Sequence, residues 1–98
     1  MPDVQREFSA ELWRAAGDGA WVFARLPADV SAEIRDLPRP RAGFGSVRVR
    51  VTLGGSRWST SVFPESTSAY VLPVKRAVRA AEGVEVGDVV RISVETVD

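Results

Sequence analysis

The sequence predicts a mainly β fold: a small antiparallel β-barrel of about six strands, capped by two short α-helices. Three observations carry that prediction. Residues 47–62 alternate apolar and polar side chains on both sides of Gly54-Gly55, the signature of a β-hairpin. A second alternating run, Phe8, Ala10 and Leu12 against Glu7, Ser9 and Glu11, is followed after Gly17-Asp18-Gly19 by the strand-like Trp21–Leu26. Two other segments switch to helical spacing, Val30/Ile34/Leu37 and Val74/Ala77/Val78/Ala81. Strands joined as hairpins, with few and short helices, close most simply into a barrel.

The elements follow in order. Residues 1–4 read as a frayed end, and the first strand begins at Glu7. Gly17-Asp18-Gly19 turns it into the second strand, which Pro27 ends. Asp29 is a suitable N-cap for the first helix, and Pro38 and Pro40 close it. The stretch Pro38–Gly45 is a loop; its Gly-x-Gly lacks the surroundings of a phosphate or dinucleotide fingerprint.

In the central hairpin the two glycines supply the positive backbone angles of a two-residue turn. With them as the loop, Leu53 lies opposite Ser56, Val51 opposite Trp58 and Val49 opposite Thr60. One face then carries Val47, Val49, Val51, Leu53, Trp58, Thr60 and Val62. The other carries Arg48, Arg50, Thr52, Arg57, Ser59 and Ser61. A slip of one residue would spoil both faces, which pins the register. After Pro64 and the polar loop Glu65-Ser66-Thr67-Ser68 comes a short strand around Tyr70–Leu72. Pro73 is placed in the first turn of the second helix, and Gly83 just past its end. Gly87-Asp88 then turns the chain into a last strand with Val90, Ile92 and Val94 inward.

Ninety-eight residues suit one domain, 1–98, with a thin stability margin that makes a homodimer one expectation. No apolar run approaches a membrane span and the N-terminus lacks a signal pattern, so a cytoplasmic protein is expected. Cysteine and histidine are both absent. Disulfides and thiolate chemistry are thereby excluded, zinc sites nearly so, and the commonest general base is missing. No metal, cofactor or catalytic residue is expected, and the balance leans away from an enzyme. Net charge is zero, yet it is segregated: from Arg35 to Arg79 nine basic residues face two acids, while the flanks hold four basic residues and eleven acids. Such a split marks a basic face for anionic partners, unless folding interleaves the two sets.

Several landmarks together resemble a known family. They are Trp21–Pro27, Val47–Leu53 with Gly54-Gly55, Trp58–Pro64, Leu72-Pro73-Val74-Lys75 with Arg79, and Gly87-Asp88-Val89-Val90. The chain resembles, over most of Phe8 to Val97, the small bacterial family known as domain of unknown function nineteen-oh-five. That resemblance implies a double-split β-barrel, similar in architecture to swapped-hairpin DNA-binding proteins of the antitoxin and transition-state-regulator type. The family has no established activity and therefore no catalytic residues to carry over. Its members are sometimes joined to a second domain implicated in bacteriocin resistance, and none is expected in this sequence. The loop after Pro64, glycine-rich in many relatives, is Glu65-Ser66-Thr67-Ser68 here, unlike a backbone anion nest.

Candidate sites follow from residue chemistry. The hairpin face of Arg48, Arg50 and Arg57, with hydroxyls between, offers arginine forks for phosphates or carboxylates; the simpler account is a solvated face that discourages edge pairing. Lys75, Arg76 and Arg79 extend that patch, although Glu82 is spaced to pair with Arg79 and basic residues near a helix end suit its dipole. Trp21, Trp58 and Tyr70 are candidates to line a cleft, though aromatics in small barrels are more often core. Trp13 is out of phase with its strand's apolar side, as at an interface or beneath an intramolecular cover. Ser59, Ser61 and Lys75 show no spacing that suggests a serine–lysine nucleophile.

The leading expectation is a non-enzymatic binding or interaction module whose contact surface is Arg48, Arg50, Arg57, Lys75, Arg76 and Arg79. An anionic small molecule or an acidic protein partner suits that surface. The alternative is a nucleic-acid-binding regulator with a swapped-hairpin barrel, against which stands the overall neutrality. A minor enzyme using Asp88 or Lys75 is a third reading, and it needs a strongly perturbed group in a pocket.

Overall fold

The computed structural model describes residues 4–16, 21–37, 45–65 and 69–97. Its elements are β1 (Gln5–Arg14), β2 (Val22–Arg25), α1 (Ala28–Arg35), β3 (Val47–Leu53), β4 (Ser56–Pro64), β5 (Tyr70–Pro73), α2 (Arg76–Glu82) and β6 (Val89–Thr96). The strands close into a barrel in the order β1-β2-β5-β4-β3-β6, every neighbouring pair antiparallel.

The two longest strands each serve two sheets. β1 pairs with β6 from Gln5 to Glu11 and with β2 from Leu12 to Arg14. β4 pairs with β3 from Ser56 to Val62 and with β5 at Phe63 and Pro64. The barrel is thus split twice, at Glu11/Leu12 and at Val62/Phe63. At the first split the turn before β6 supplies the bonds: Leu12 N–H donates to the Asp88 carbonyl (2.9 Å) and Gly87 N–H to the Leu12 carbonyl (2.8 Å). Both neighbours of every strand belong to this chain, so no exchanged hairpin is needed to close the barrel.

The central hairpin has the register its alternation demands, from Val47↔Val62 to Leu53↔Ser56. Only Gly54 takes a positive φ (60°), which fits a type II′ turn, so Gly55 does not need the freedom expected of it. Inward side chains from all six strands meet in one core, with Leu12, Val49, Val51, Val62, Leu72 and Ile92 fully buried. α1 closes one end of the barrel through Val30, Ile34 and Leu37. Buried Ser31 fastens it there: its hydroxyl donates to the Leu26 carbonyl and accepts from the Tyr70 N–H.

Four local expectations are corrected. Val4 is not frayed, because its N–H donates to Thr96 Oγ1 and its carbonyl accepts from Thr96 N–H, both at 2.9 Å. α1 is capped by Pro27; Asp29 lies in the first turn, where its carboxylate accepts from Val30 N–H. Pro73 ends β5 opposite Phe23 rather than opening a helix, and the ladder continues with Val74 N–H donating to the Val22 carbonyl. α2 consequently starts at Arg76 and buries none of its residues: Ala77 and Ala81 are exposed, Val78 is half-buried, and Val74 plugs the core from just before the helix. Gly83, at φ 66°, ends it as expected. The turn at Gly17-Asp18-Gly19, the loop from Pro38 to Phe44 and Ser66–Ser68 lie outside the described residues.

Candidate functional site

The end of the barrel opposite α1 gathers the C-terminal end of β1, the start of β2, the end of β5 and all of α2. A cavity of about 500 Å³ opens there, lined by Arg14, Trp21, Val22, Pro73, Val74, Lys75, Arg76 and Arg79. A second cavity of about 310 Å³ adjoins it, sharing Arg14, Arg76 and Arg79 and reaching Val84, Glu85 and Val86. Chain geometry places each cation. Arg14 is the last residue of β1, brought beside Trp21 by the β1–β2 hairpin, in which Ala15 N–H donates to the Trp21 carbonyl. Lys75 and Arg76 stand at the start of α2. Arg79, one turn on, is steadied by its Nε donating to the Val74 carbonyl at 3.2 Å. No carboxylate among the described residues pairs with Arg14, Lys75, Arg76 or Arg79.

Elsewhere most cations are neutralised. Arg6 pairs with Glu33 (2.9 Å), Arg25 with Glu65 (2.8 Å), Arg50 with Glu95 (3.3 Å) and Arg91 with Glu7 (3.4 Å). The Arg25–Glu65 pair is bidentate, and that hydrogen bonding raises the Arg25 pKa further above its ordinary value. Closing the barrel causes the interleaving: β6 lies beside β3, and Arg50 is directly opposite Glu95.

The six predicted contact residues do not line one cavity. Lys75, Arg76 and Arg79 line the end cavity, while Arg50 and Arg57 line another of about 450 Å³ with Trp58 and Ser59 and share no lining residue with it. Arg48 is exposed on the same outer strand face as Arg50, and lines neither. The hairpin patch is also not free of acid once Glu95 is beside it. Arg14 was not legible as a site residue, because only hairpin pairing and barrel closure bring it to α2. Of the three aromatic residues that are candidates to line a cleft, Trp21 lines the end cavity and is 60% exposed, Trp58 lines the cavity of Arg50 and Arg57 while packing half-buried on the core, and Tyr70 is core.

Trp13 is half-buried, and its cover includes this chain's own side chains: the Phe23 ring centroid is 5.3 Å away and the Arg25 guanidinium carbon lies 5.0 Å over its ring. Asp88 has a turn-forming role, its carboxylate accepting from Glu85 N–H at 2.9 Å while its own N–H donates to the Glu85 carbonyl. No described helix is long and apolar enough to cross a membrane.

A family model described as Domain of unknown function (DUF1905) matches residues 8–94, the span over which the sequence landmarks lie. No curated protein matches the chain.

Proposed function

We propose that this chain, which belongs to the family Domain of unknown function (DUF1905), works as a binding module for a small anion or an acidic group, held in the cleft between the end of β1, the start of β2 and α2. One observation carries the reading. Arg14, Lys75, Arg76 and Arg79 converge on a cavity and none of them is paired with a described carboxylate, in a protein that pairs Arg6, Arg25, Arg50 and Arg91 with acids. Gathered like charges repel one another, and an anion in the cavity relieves that repulsion while accepting the arginine forks. Nothing in the reading requires a reaction. Arg48, Arg50 and Arg57 drop to a secondary role, and a nucleic-acid regulator remains the alternative use of the same cations.

The test is a thermal-shift titration with inorganic pyrophosphate at low ionic strength. Saturation at a hundred times the dissociation constant adds about 2.7 kcal/mol to stability. The expected outcome is a rise in Tm that Lys75→Glu and Arg76→Glu each reduce and Arg48→Glu leaves intact. A wild type with no shift, or a shift that only Arg48→Glu abolishes, overturns the reading.

A further inference from the structure

Trp21 borders two cavities. Besides the cationic cleft it lines an apolar groove of about 330 Å³ with Ala15, Phe23, Phe63 and Val71, on the outer face of the small sheet formed by β1, β2, β5 and β4. Strand alternation gives outward positions to polar side chains in an ordinary barrel. Here they hold Phe23, Phe63 and Val71, with Trp21 at their head. Trp21 is 60% exposed and Phe63 40%, and the Trp21 and Phe23 rings stack at 6.0 Å with an interplanar angle of 9°. The groove is thus a built, preordered aromatic surface rather than one stray apolar residue. Its polar borders are unequal. On β2, Arg25 is neutralised by Glu65, whereas past Trp21 lie Arg14, Lys75, Arg76 and Arg79, none of them paired with a described carboxylate.

Taking the cleft reading above as its premise, we infer that the ligand is a free amphipathic anion: a phosphate or carboxylate head among the cleft cations, and an aliphatic portion that crosses Trp21 into the groove between Phe23, Phe63 and Val71. The charge placement selects this occupant. A second copy of the chain would cover the groove without needing cations at one end of it. A small hydrophilic anion would use the cations and leave the groove exposed. An anionic membrane surface would draw on cations spread around the groove, whereas Arg14, Lys75, Arg76 and Arg79 stand at one end of it and Arg25, on another border, is neutralised by Glu65.

The experiment is calorimetric titration of the whole chain with inorganic phosphate, butyl phosphate and octyl phosphate, the alkyl esters held below their micellar concentrations. Affinity is expected to rise about two- to fourfold per methylene from butyl to octyl as the chain enters the groove. Phe63→Ser, at an exposed position, is expected to flatten that dependence while leaving butyl phosphate bound. Arg76→Glu is expected to weaken all three ligands. Equal affinity for butyl and octyl phosphate, or an octyl gain that survives Phe63→Ser, overturns the amphiphile while leaving the cleft reading standing, provided that Arg76→Glu still weakens binding. Absence of binding by any phosphate overturns both. A Phe63-dependent dimer in sedimentation, or co-sedimentation with phosphatidylglycerol vesicles in place of monomer binding, also overturns it.

Discussion

The Glu82 carboxylate accepts a hydrogen bond from the Ser56 hydroxyl and another, at 3.1 Å, from the Gly55 N–H, fastening α2 to the β3–β4 turn. The fastening is needed because α2 buries none of its own residues. Its hold on the barrel comes from Val74 before the helix, Val78 packed partly on the core, and Glu82 at the far end. Since α2 carries Arg76 and Arg79 and Lys75 is its N-cap, whatever positions this helix also positions the cationic wall of the cleft.

Glu82→Ala is therefore expected to lower stability, because the Ser56 hydroxyl and the Gly55 N–H both lose their acceptor. Chemical denaturation of the two proteins checks it. The amides of residues 76–82 should also exchange faster in the variant, because the loss is local to the cap. A loss spread evenly over the strands would contradict the assignment.

The same carboxylate sets a pH dependence. Its hydrogen bonds from Ser56 and Gly55 hold the Glu82 pKa below the ordinary 4.5. A depressed carboxylate stabilises the fold above its unfolded pKa, and that contribution disappears as pH falls through the folded value. Wild type should lose Tm faster than Glu82→Gln between about pH 5 and about pH 3, and the two should run parallel above about pH 6.

Gly54 is coupled to this latch. Its φ of 60° strains any other residue, and a Cβ there would run into the Glu82 carboxylate. Gly54→Ala is expected to destabilise by about 1–2 kcal/mol. The contact partner is the far end of a flexible side chain, so Glu82 can swing aside at the loss of its own hydrogen bonds. The double variant with Glu82→Ala should accordingly be less destabilised than the sum of the single ones, a non-additivity that a double-mutant cycle reads.

How much of this was legible follows from the range of each signal. The β3–β4 register was readable because period-two alternation and a tight turn are both local, and a slip would have buried Arg48 and Arg50. The limits of α2 were not. Pro73 suits the first turn of a helix by its fixed φ, but it equally suits a strand end that requires no N–H there, and packing of Val74 into the core decided for the strand. Lys75, Arg76 and Arg79 were legible as a cationic group because they lie close together in sequence, at and just after the N-cap of one short helix. Arg14 and Trp21 join them only through hairpin pairing and the closure of the barrel, and Glu95 neutralises Arg50 only because β6 returns beside β3. Long-range pairing decides both the membership of the cleft and the fate of the basic hairpin face.

Thr96 joins the two ends of the described chain, its buried Oγ1 accepting from Val4 N–H. Thr96→Val keeps the shape and the β-branch but leaves that N–H without its side-chain partner. Leaving a buried donor unsatisfied costs about 1–3 kcal/mol, so the variant should lose that much in chemical denaturation, with the earliest exchange at Val4. Thr96→Ser, which keeps the acceptor, should recover most of it.

The distribution of cations also sets what DNA binding can look like. A dedicated DNA surface neutralises many phosphates at once, and the logarithm of its affinity falls with that of salt at about 0.9 per phosphate. In this chain Arg50 and Arg91 are already paired across neighbouring strands with Glu95 and Glu7, and the cleft gathers four cations at one end of the barrel. Four contacts cap the slope at a magnitude of about 3.6. Fluorescence anisotropy of a generic duplex at two salt concentrations should show weak binding with a slope no steeper than that, reduced by about one unit in Arg76→Glu. A markedly steeper slope would require Arg48 and Arg57 to act with the cleft on one duplex, and it would move the nucleic-acid reading ahead of the small-anion one.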